Sequence, residues 1–281
     1  MVTIQQLQEQ YQREGLSDNV IASFRDFIWQ FYKLNARSFP WRDSVSEYGV
    51  FVSELMLQQT QAPRVIEKYL SFIQRFPTFA SLAKASLKEV MAEWQGLGYN
   101  RRAKHVKEAA DIIIKAYEGN LPRGVDELDL LPGVGYATAC SISAFAFNKE
   151  VVFIETNIRS VFLHVFFPTK EEVSDAELLP LVEATLERGR AREWYSALMD
   201  YGSFLKKQGN PSKASKHYAK QSVFKGSTRQ LRGRILKMLL TRAFSLPELT
   251  QQLEDERVGV VIESLLRDQL IVKKGELFSV S

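Results

Sequence analysis

The sequence predicts an all-α protein that ends in a small α+β module. Three observations predict it. Over residues 18–35 the apolar side chains Ile21, Phe24, Ile28, Phe31 and Leu34 recur at spacings of three and four, one face of a helix. Residues 128–139 read Leu-Asp-Leu-Leu-Pro-Gly-Val-Gly-Tyr-Ala-Thr-Ala, a tight turn between two apolar helical segments. No run of strand alternation comes before residue 270, where Ile271-Val-Lys-Lys-Gly-Glu-Leu-Phe-Ser-Val reads as a hairpin turning at Lys274-Gly275.

Taken in order, residues 48–61, 64–75, 87–94 and 101–117 read as amphipathic helices. At the turn, Pro132 cannot continue the preceding helix, and Gly133 and Gly135 permit backbone conformations that other residues avoid. A turn that opens a helix leaves N–H groups pointing outward. With the positive end of the helix dipole they suit a phosphate oxygen. Glu155 and Asn157 follow the second segment, and 172–188 is again amphipathic. Near residue 225 the character changes. Arg229–Thr241 is a basic-apolar helix, Ser245-Leu-Pro-Glu248 is a capping box that opens a second, and 256–270 make a third. With the terminal hairpin these resemble a winged-helix module. Glu254, Asp255 and Glu256 give it an acidic face, so a structural or protein-binding wing is at least as good a reading as a DNA reader.

A chain of 281 residues with 45% hydrophobic content can bury a sizeable core. Its net charge of +4 and pI near 9.0 allow an anionic partner without requiring one. The lone Cys140 excludes an intramolecular disulfide and suits a reducing compartment. No apolar run has the length of a membrane span and no signal-peptide core opens the chain. The expectation is a cytoplasmic monomer. From Lys206 to Arg242 there are eleven Lys or Arg and no Asp or Glu, which fits phosphate neutralisation better than a solvated face.

The hairpin and the acid that follows it resemble the helix-hairpin-helix DNA glycosylases, the superfamily of endonuclease III and the MutY-type adenine glycosylases. Tyr48-Gly-Val-Phe-Val-Ser-Glu54-Leu-Met-Leu-Gln58-Gln59-Thr60-Gln61 resembles the MutY branch, as does Pro40-Trp41-Arg42 ahead of it. Trp94-Gln-Gly-Leu-Gly-Tyr99 looks like a family loop, and Ala197-Leu-Met-Asp200-Tyr-Gly202 like the helix before the family's metal-cluster loop. The resemblance covers roughly residues 20–224, with its segments in the family's order. It implies a two-lobed glycosylase domain over 1–224, with a central lobe at about 42–148 and a second from 18–41 plus 149–224, followed by the module at 225–281. In the family the cleft between the lobes holds a base flipped from the duplex.

Breaking an N-glycosidic bond needs a proton for the departing base and negative charge near the sugar, as paired carboxylates serve glycoside hydrolysis. Glu54 lies among Val52, Leu55, Met56 and Leu57, apolar company that favours a protonated acid. The resemblance makes it the residue that protonates adenine. Glu155 stands where the superfamily carries its catalytic aspartate. It is one methylene longer, about 1.5 Å more reach, and positioning errors of ~1 Å can cost ~100-fold in rate. Asn157 matches the asparagine that accompanies this acid. A base inside a duplex must be flipped before it reacts. By resemblance Gln58 enters the stack, Tyr99 wedges beside the opposite base, Arg42 contacts the flipped base or its phosphate, and Gly133, Val134 and Gly135 hold the backbone.

The family's iron–sulfur ligand positions fall on Lys206, Lys213, Lys216 and Ser222, so no metal or other cofactor is expected. The three lysines are expected to contact DNA. The expected function is monofunctional excision of a mispaired base from double-stranded DNA in base excision repair, most readily adenine opposite guanine or 8-oxoguanine. Removal of thymine or uracil from mispairs is the runner-up, and a non-catalytic DNA-binding paralogue the alternative outside catalysis. The lyase lysine of endonuclease III-type enzymes is replaced by Ala137. With no amine there, borohydride added during turnover should trap almost no enzyme–DNA adduct. Trapping comparable to that of a lyase would contradict the monofunctional reading.

Overall fold

The computed structural model describes residues 2–219 and 223–281, and these are mostly helical. The helices run α1 Ile4–Glu14, α2 Asp18–Asn35, α3 Pro40–Asp43, α4 Glu47–Leu57, α5 Ala62–Arg75, α6 Phe79–Lys84, α7 Leu87–Glu93 and α8 Arg101–Ala116. They continue as α9 Val125–Asp129, α10 Tyr136–Phe147, α11 Thr156–Phe166, α12 Asp175–Thr185 and α13 Ala191–Gln208, followed by a 3-10 turn at Pro211–Ala214. The C-terminal part holds α14 Thr228–Thr241, β1 Phe244–Ser245, α15 Leu246–Leu253, α16 Val258–Arg267, β2 Ile271–Lys274 and β3 Leu277–Val280. Among the described residues no helix is long and apolar enough to cross a membrane.

Local chemistry sets many of the ends. Ser86 with Glu89 and Ser245 with Glu248 form reciprocal capping boxes that start α7 and α15. The helix expected over 48–61 stops at Leu57, and Gln59 takes a positive φ of 53°. The hairpin turns at Gly275-Glu276, one residue later than expected, with Gly275 supplying the positive φ of 59°. Glu254, Asp255 and Glu256 lie in the turn before α16 rather than in its first turn, and Glu254 ends α15 in the left-handed region. The two-residue β1 is too short to leave an alternation in the sequence. It completes a three-stranded antiparallel sheet in the order β1-β3-β2.

The chain divides into two compact units. The first comprises Met1–Val45, Arg123–Asp126 and Gly135–Lys220. Its core is aromatic: Phe24 packs against Phe162, Phe166 and Trp194, all buried. Helix α10 is buried around most of its circumference, as expected of a helix with no polar face. The second unit comprises Ser46–Pro122, Glu127–Val134 and Gln221–Ser281. Phe51, Phe72, Trp94, Val106 and Ile113 are buried there. The C-terminal strands and helices belong to it. Lys104 of α8 donates to the Gln269 side chain at 2.8 Å and to the Asp268 carbonyl at 3.3 Å.

One buried guanidinium organises this second unit. Arg102 is 6% exposed, and its Nη1 donates to the carbonyls of Leu55, Met56 and Gln58 at 2.8, 2.7 and 2.7 Å. Its Nη2 donates to Thr60 Oγ1 at 3.0 Å and to the carbonyls of Leu97 and Gly98 at 3.3 and 3.0 Å. Those partners explain why α4 ends early: its last carbonyls face an arginine rather than a further helical turn. Burial pushes the Arg102 pKa down to about 10, which leaves it charged at neutral pH. Arg102→Met should therefore destabilise the protein by at least about 3 kcal/mol, because it strands buried acceptors. Arg102→Lys, with three donors and no fork, should recover only part of that. Urea unfolding measures both, and a loss under about 1 kcal/mol for Arg102→Met would contradict the assignment.

Candidate active site

In the first unit, Glu155 is the N-cap of α11. Its Oε1 accepts from the backbone N–H groups of Asn157 at 2.7 Å and Ile158 at 2.8 Å, and its Oε2 from Asn157 Nδ2 at 3.1 Å. An aspartate favours this capping position as well. The extra methylene of Glu155 is absorbed by folding the carboxylate back onto the helix start, where the dipole favours a negative charge.

Helix α13 presses on the same spot. A Cβ on Gly202 would lie 2.2 Å from the Asn157 carbonyl oxygen, so only glycine allows this approach. One turn further along α13, Lys206 is half-buried and interacts with Glu155 across the contact. The 3-10 turn is pinned to the same helix end. Ser212 Oγ meets Ser160 Oγ at 2.5 Å and donates to the Thr156 carbonyl at 3.2 Å. Burial pushes the Glu155 carboxyl above the usual glutamate range, while Lys206 and the three hydrogen bonds pull the other way. Burial also lowers the Lys206 pKa, and Glu155 opposes that shift. Arg159, on α11 itself, is committed to Asp175 of α12 at 2.6 Å.

Arg42 is held in an ion-pair cluster in this unit. Its Nη1 reaches both carboxylate oxygens of buried Asp200, at 2.9 and 3.1 Å, and its guanidinium lies 5.1 Å from the Phe39 ring centroid. Arg37 shares Asp200 through its backbone N–H and Nε, each at 2.8 Å. Lys213 and Lys216 are exposed, whereas Lys206 is half-buried; Ser222 lies outside the described residues.

In the second unit, Glu54 is half-buried on α4 between buried Ser53 and Leu55. One turn later, Gln58 Nε2 donates to the Gly133 carbonyl at 2.9 Å, which joins the MutY-like run to the hairpin turn. Gly133 has a φ of 77°, and a Cβ there would stand 2.7 Å from His105 Cβ. Val134 is buried beneath the turn, its N–H bonded to the Leu131 carbonyl at 3.0 Å. In the first unit, Gly135 begins α10 with an extended backbone, no side-chain cap and open space where a Cβ would be. Gly135, Tyr136 and Ala137 are all exposed. Tyr99 has a φ of 47°, and its ring lies 5.5 Å from the Arg102 guanidinium and 5.2 Å from that of Arg229. The structure thus groups Glu155 with Asn157 and Lys206, and Gln58 with Gly133. Glu54 and Glu155 belong to different units.

Sequence reasoning missed Arg102, Arg229, the Gly202 contact and the half-burial of Lys206. The only local signal was the glycine in Ala-Leu-Met-Asp-Tyr-Gly, four residues before the lysine.

A profile described as HhH-GPD superfamily base excision DNA repair protein matches residues 52–183. An adenine DNA glycosylase of Mycobacterium tuberculosis is 30% identical over 273 residues, covering 86% of this chain and 88% of that protein. The chain belongs to the helix-hairpin-helix DNA glycosylase superfamily, in its MutY-type branch. The adenine DNA glycosylase of Mycolicibacterium smegmatis is 31% identical over 89% of this chain and 92% of that protein. The rat adenine DNA glycosylase is 33% identical over 76% of this chain, which spans only 44% of that longer protein. Among solved structures, a thermostable thymine-DNA glycosylase superposes with a TM-score of 0.57 at 26% identity, over 65% of this chain and 86% of that one. A non-covalent endonuclease III–DNA complex, at 19% identity and a TM-score of 0.52, shares the fold over 73% of this chain and 86% of that one.

Glu155 is thus a half-buried carboxyl on which a lysine acts, and this fixes a titration. Lys206→Met removes the cation that favours the ionised form, so the Glu155 carboxyl should titrate at higher pH than in the parent, which is already raised. A carboxyl 13C NMR titration, with the resonance assigned through Glu155→Gln, reads the shift. An unchanged titration would show that Lys206 does not act on Glu155.

Proposed function

We propose that this protein excises adenine mispaired with guanine or 8-oxoguanine from duplex DNA, as a monomer inside the cell and without lyase chemistry. The observation that carries the reading is the match to adenine DNA glycosylases along nearly the whole of the mycobacterial relatives. In this reading Glu54 gives its proton to the departing base as the glycosidic C–N bond breaks, and the bonding electrons leave with the base. Glu155, ionised at the start of α11, offsets the positive charge that grows on the sugar. Water then adds to the anomeric carbon and releases a proton. Exposed Gly135 and the uncapped start of α10 support phosphate binding at the hairpin.

The residues at the family's cluster positions do not fit an iron–sulfur cluster. Lys206, Lys213 and Lys216 carry ammonium groups, and the chain's single thiol, Cys140, is buried in α10. No step of the reaction is routed through iron. Exposed Lys213 and Lys216 are suited to phosphate contact, while Lys206 is better placed to act on Glu155.

A thymine-excising reading is favoured by one observation, the likeness to thymine-DNA glycosylase. Duplexes carrying A·8-oxoguanine, A·G, T·G and U·G, scored for alkali-labile abasic sites, separate the two. Adenine release from the first two, lost by at least about 100-fold in Glu54→Gln with DNA affinity kept, is expected. Release of thymine or uracil alone would overturn the adenine assignment. Full activity of Glu54→Gln would remove Glu54 as the acid.

A further inference from the structure

The C-terminal module reaches the loop that carries Tyr99. Arg229, in the first turn of α14, donates from Nη1 to the Tyr99 hydroxyl, and its guanidinium lies 5.2 Å from the ring centroid. Phe224 flanks the same guanidinium at 5.5 Å. Arg102 lies 5.5 Å from the Tyr99 ring and donates to the Tyr99 carbonyl, through its backbone N–H at 3.0 Å and through Nε at 3.4 Å. Two guanidiniums therefore hold one aromatic side chain whose own backbone is in the left-handed region, a conformation costly for a bulky residue unless its surroundings impose it.

Arg229 is poorly placed for its own helix. A cation in the first turn of a helix opposes the dipole, so α14 gains nothing electrostatically from it. It reaches Tyr99, 130 residues away in sequence. The module is braced nearby by Lys104 on Gln269, and by Arg101 facing Asp268 at 3.7 Å.

We propose that Arg229 is a positioning residue, through which the C-terminal module sets the pose of Tyr99 and so tunes how the protein engages the base opposite the excised one. The inference rests on the reading that Tyr99 meets the duplex. It gives the module a role in recognition that requires no base contact of its own, consistent with the acidic turn before α16.

The test uses the full chain and the duplex that the parent cleaves fastest. Single-turnover rate, binding to a duplex with a tetrahydrofuran abasic analogue, and thermal midpoint are measured for Arg229→Ala, Arg229→Lys, Tyr99→Leu and the double variant Tyr99→Leu/Arg229→Ala. Arg229→Ala should lose about tenfold in rate, in line with one cation–π contact plus one hydrogen bond, at an unchanged thermal midpoint. Arg229→Lys should fall between it and the parent. In the Tyr99→Leu background, Arg229→Ala should have no further effect. A Tyr99→Leu defect beside an unimpaired Arg229→Ala overturns the inference alone. Equal losses in both backgrounds also overturn it, because Arg229 then acts independently of Tyr99. A silent Tyr99→Leu overturns the underlying reading of Tyr99 and the inference with it. If Arg229→Ala lowers the thermal midpoint, Arg229→Lys decides: a rate loss that disappears once the midpoint is restored is structural and overturns the proposal.

Discussion

The second unit depends on Arg102. Its guanidinium takes up the last carbonyls of α4, the helix that carries Glu54, and also the carbonyls of Leu97 and Gly98 in the loop that ends at Tyr99. Burying a charge is costly unless it is fully hydrogen-bonded, and here the fork is satisfied by main-chain oxygens and one hydroxyl. An uncharged donor could not serve so many acceptors from one point. The consequence is geometric. The end of α4, the Gln58 side chain that reaches Gly133, and the Tyr99 loop are locked to one planar group on α8.

In the first unit the corresponding role falls to a helix start. Glu155 is positioned by the N–H groups of α11, the Asn157 side chain and the glycine-flat face of α13. Half-buried Lys206, one turn further along α13, acts electrostatically on the carboxylate. A half-buried carboxyl gains from donors, a dipole and a cation together, and each offsets part of the desolvation of its ionised form. The basic stretch that begins at Lys206 thus divides by exposure, with its first lysine half-buried and Lys213 and Lys216 exposed. A methionine or alanine at 202 would break this arrangement at its tightest contact.

Most of the fold was legible because its signals are local. The apolar face of Ile21, Phe24 and Ile28 marks α2, Ser245 with Glu248 marks α15, and Pro132-Gly133 marks the turn before α10. The end of α4 was not legible, because it is set by an arginine more than forty residues away. The candidate site was legible as residue types in order: Glu54, Gln58, Tyr99, the hairpin and Glu155. What holds those residues was hidden. Arg102 and Arg229 look like ordinary surface arginines on amphipathic helices, and Lys206 looks like one of eleven basic residues in a run without acids. Distant pairings of single residues leave no spacing pattern for a sequence to display.

In the proposed reaction, an ionised Glu155 held against positive charge on the sugar lowers the barrier to N-glycosidic cleavage. A duplex with a cationic pyrrolidine in place of the deoxyribose, opposite 8-oxoguanine, mimics that charge, and the same duplex with neutral tetrahydrofuran does not. The decisive measurement is the ratio of the two dissociation constants at low salt. The account predicts tighter binding of the cationic duplex by at least about tenfold, as transition-state mimics require, with the preference lost in Glu155→Gln. Equal affinities in the parent protein, or a preference that survives Glu155→Gln, would contradict it.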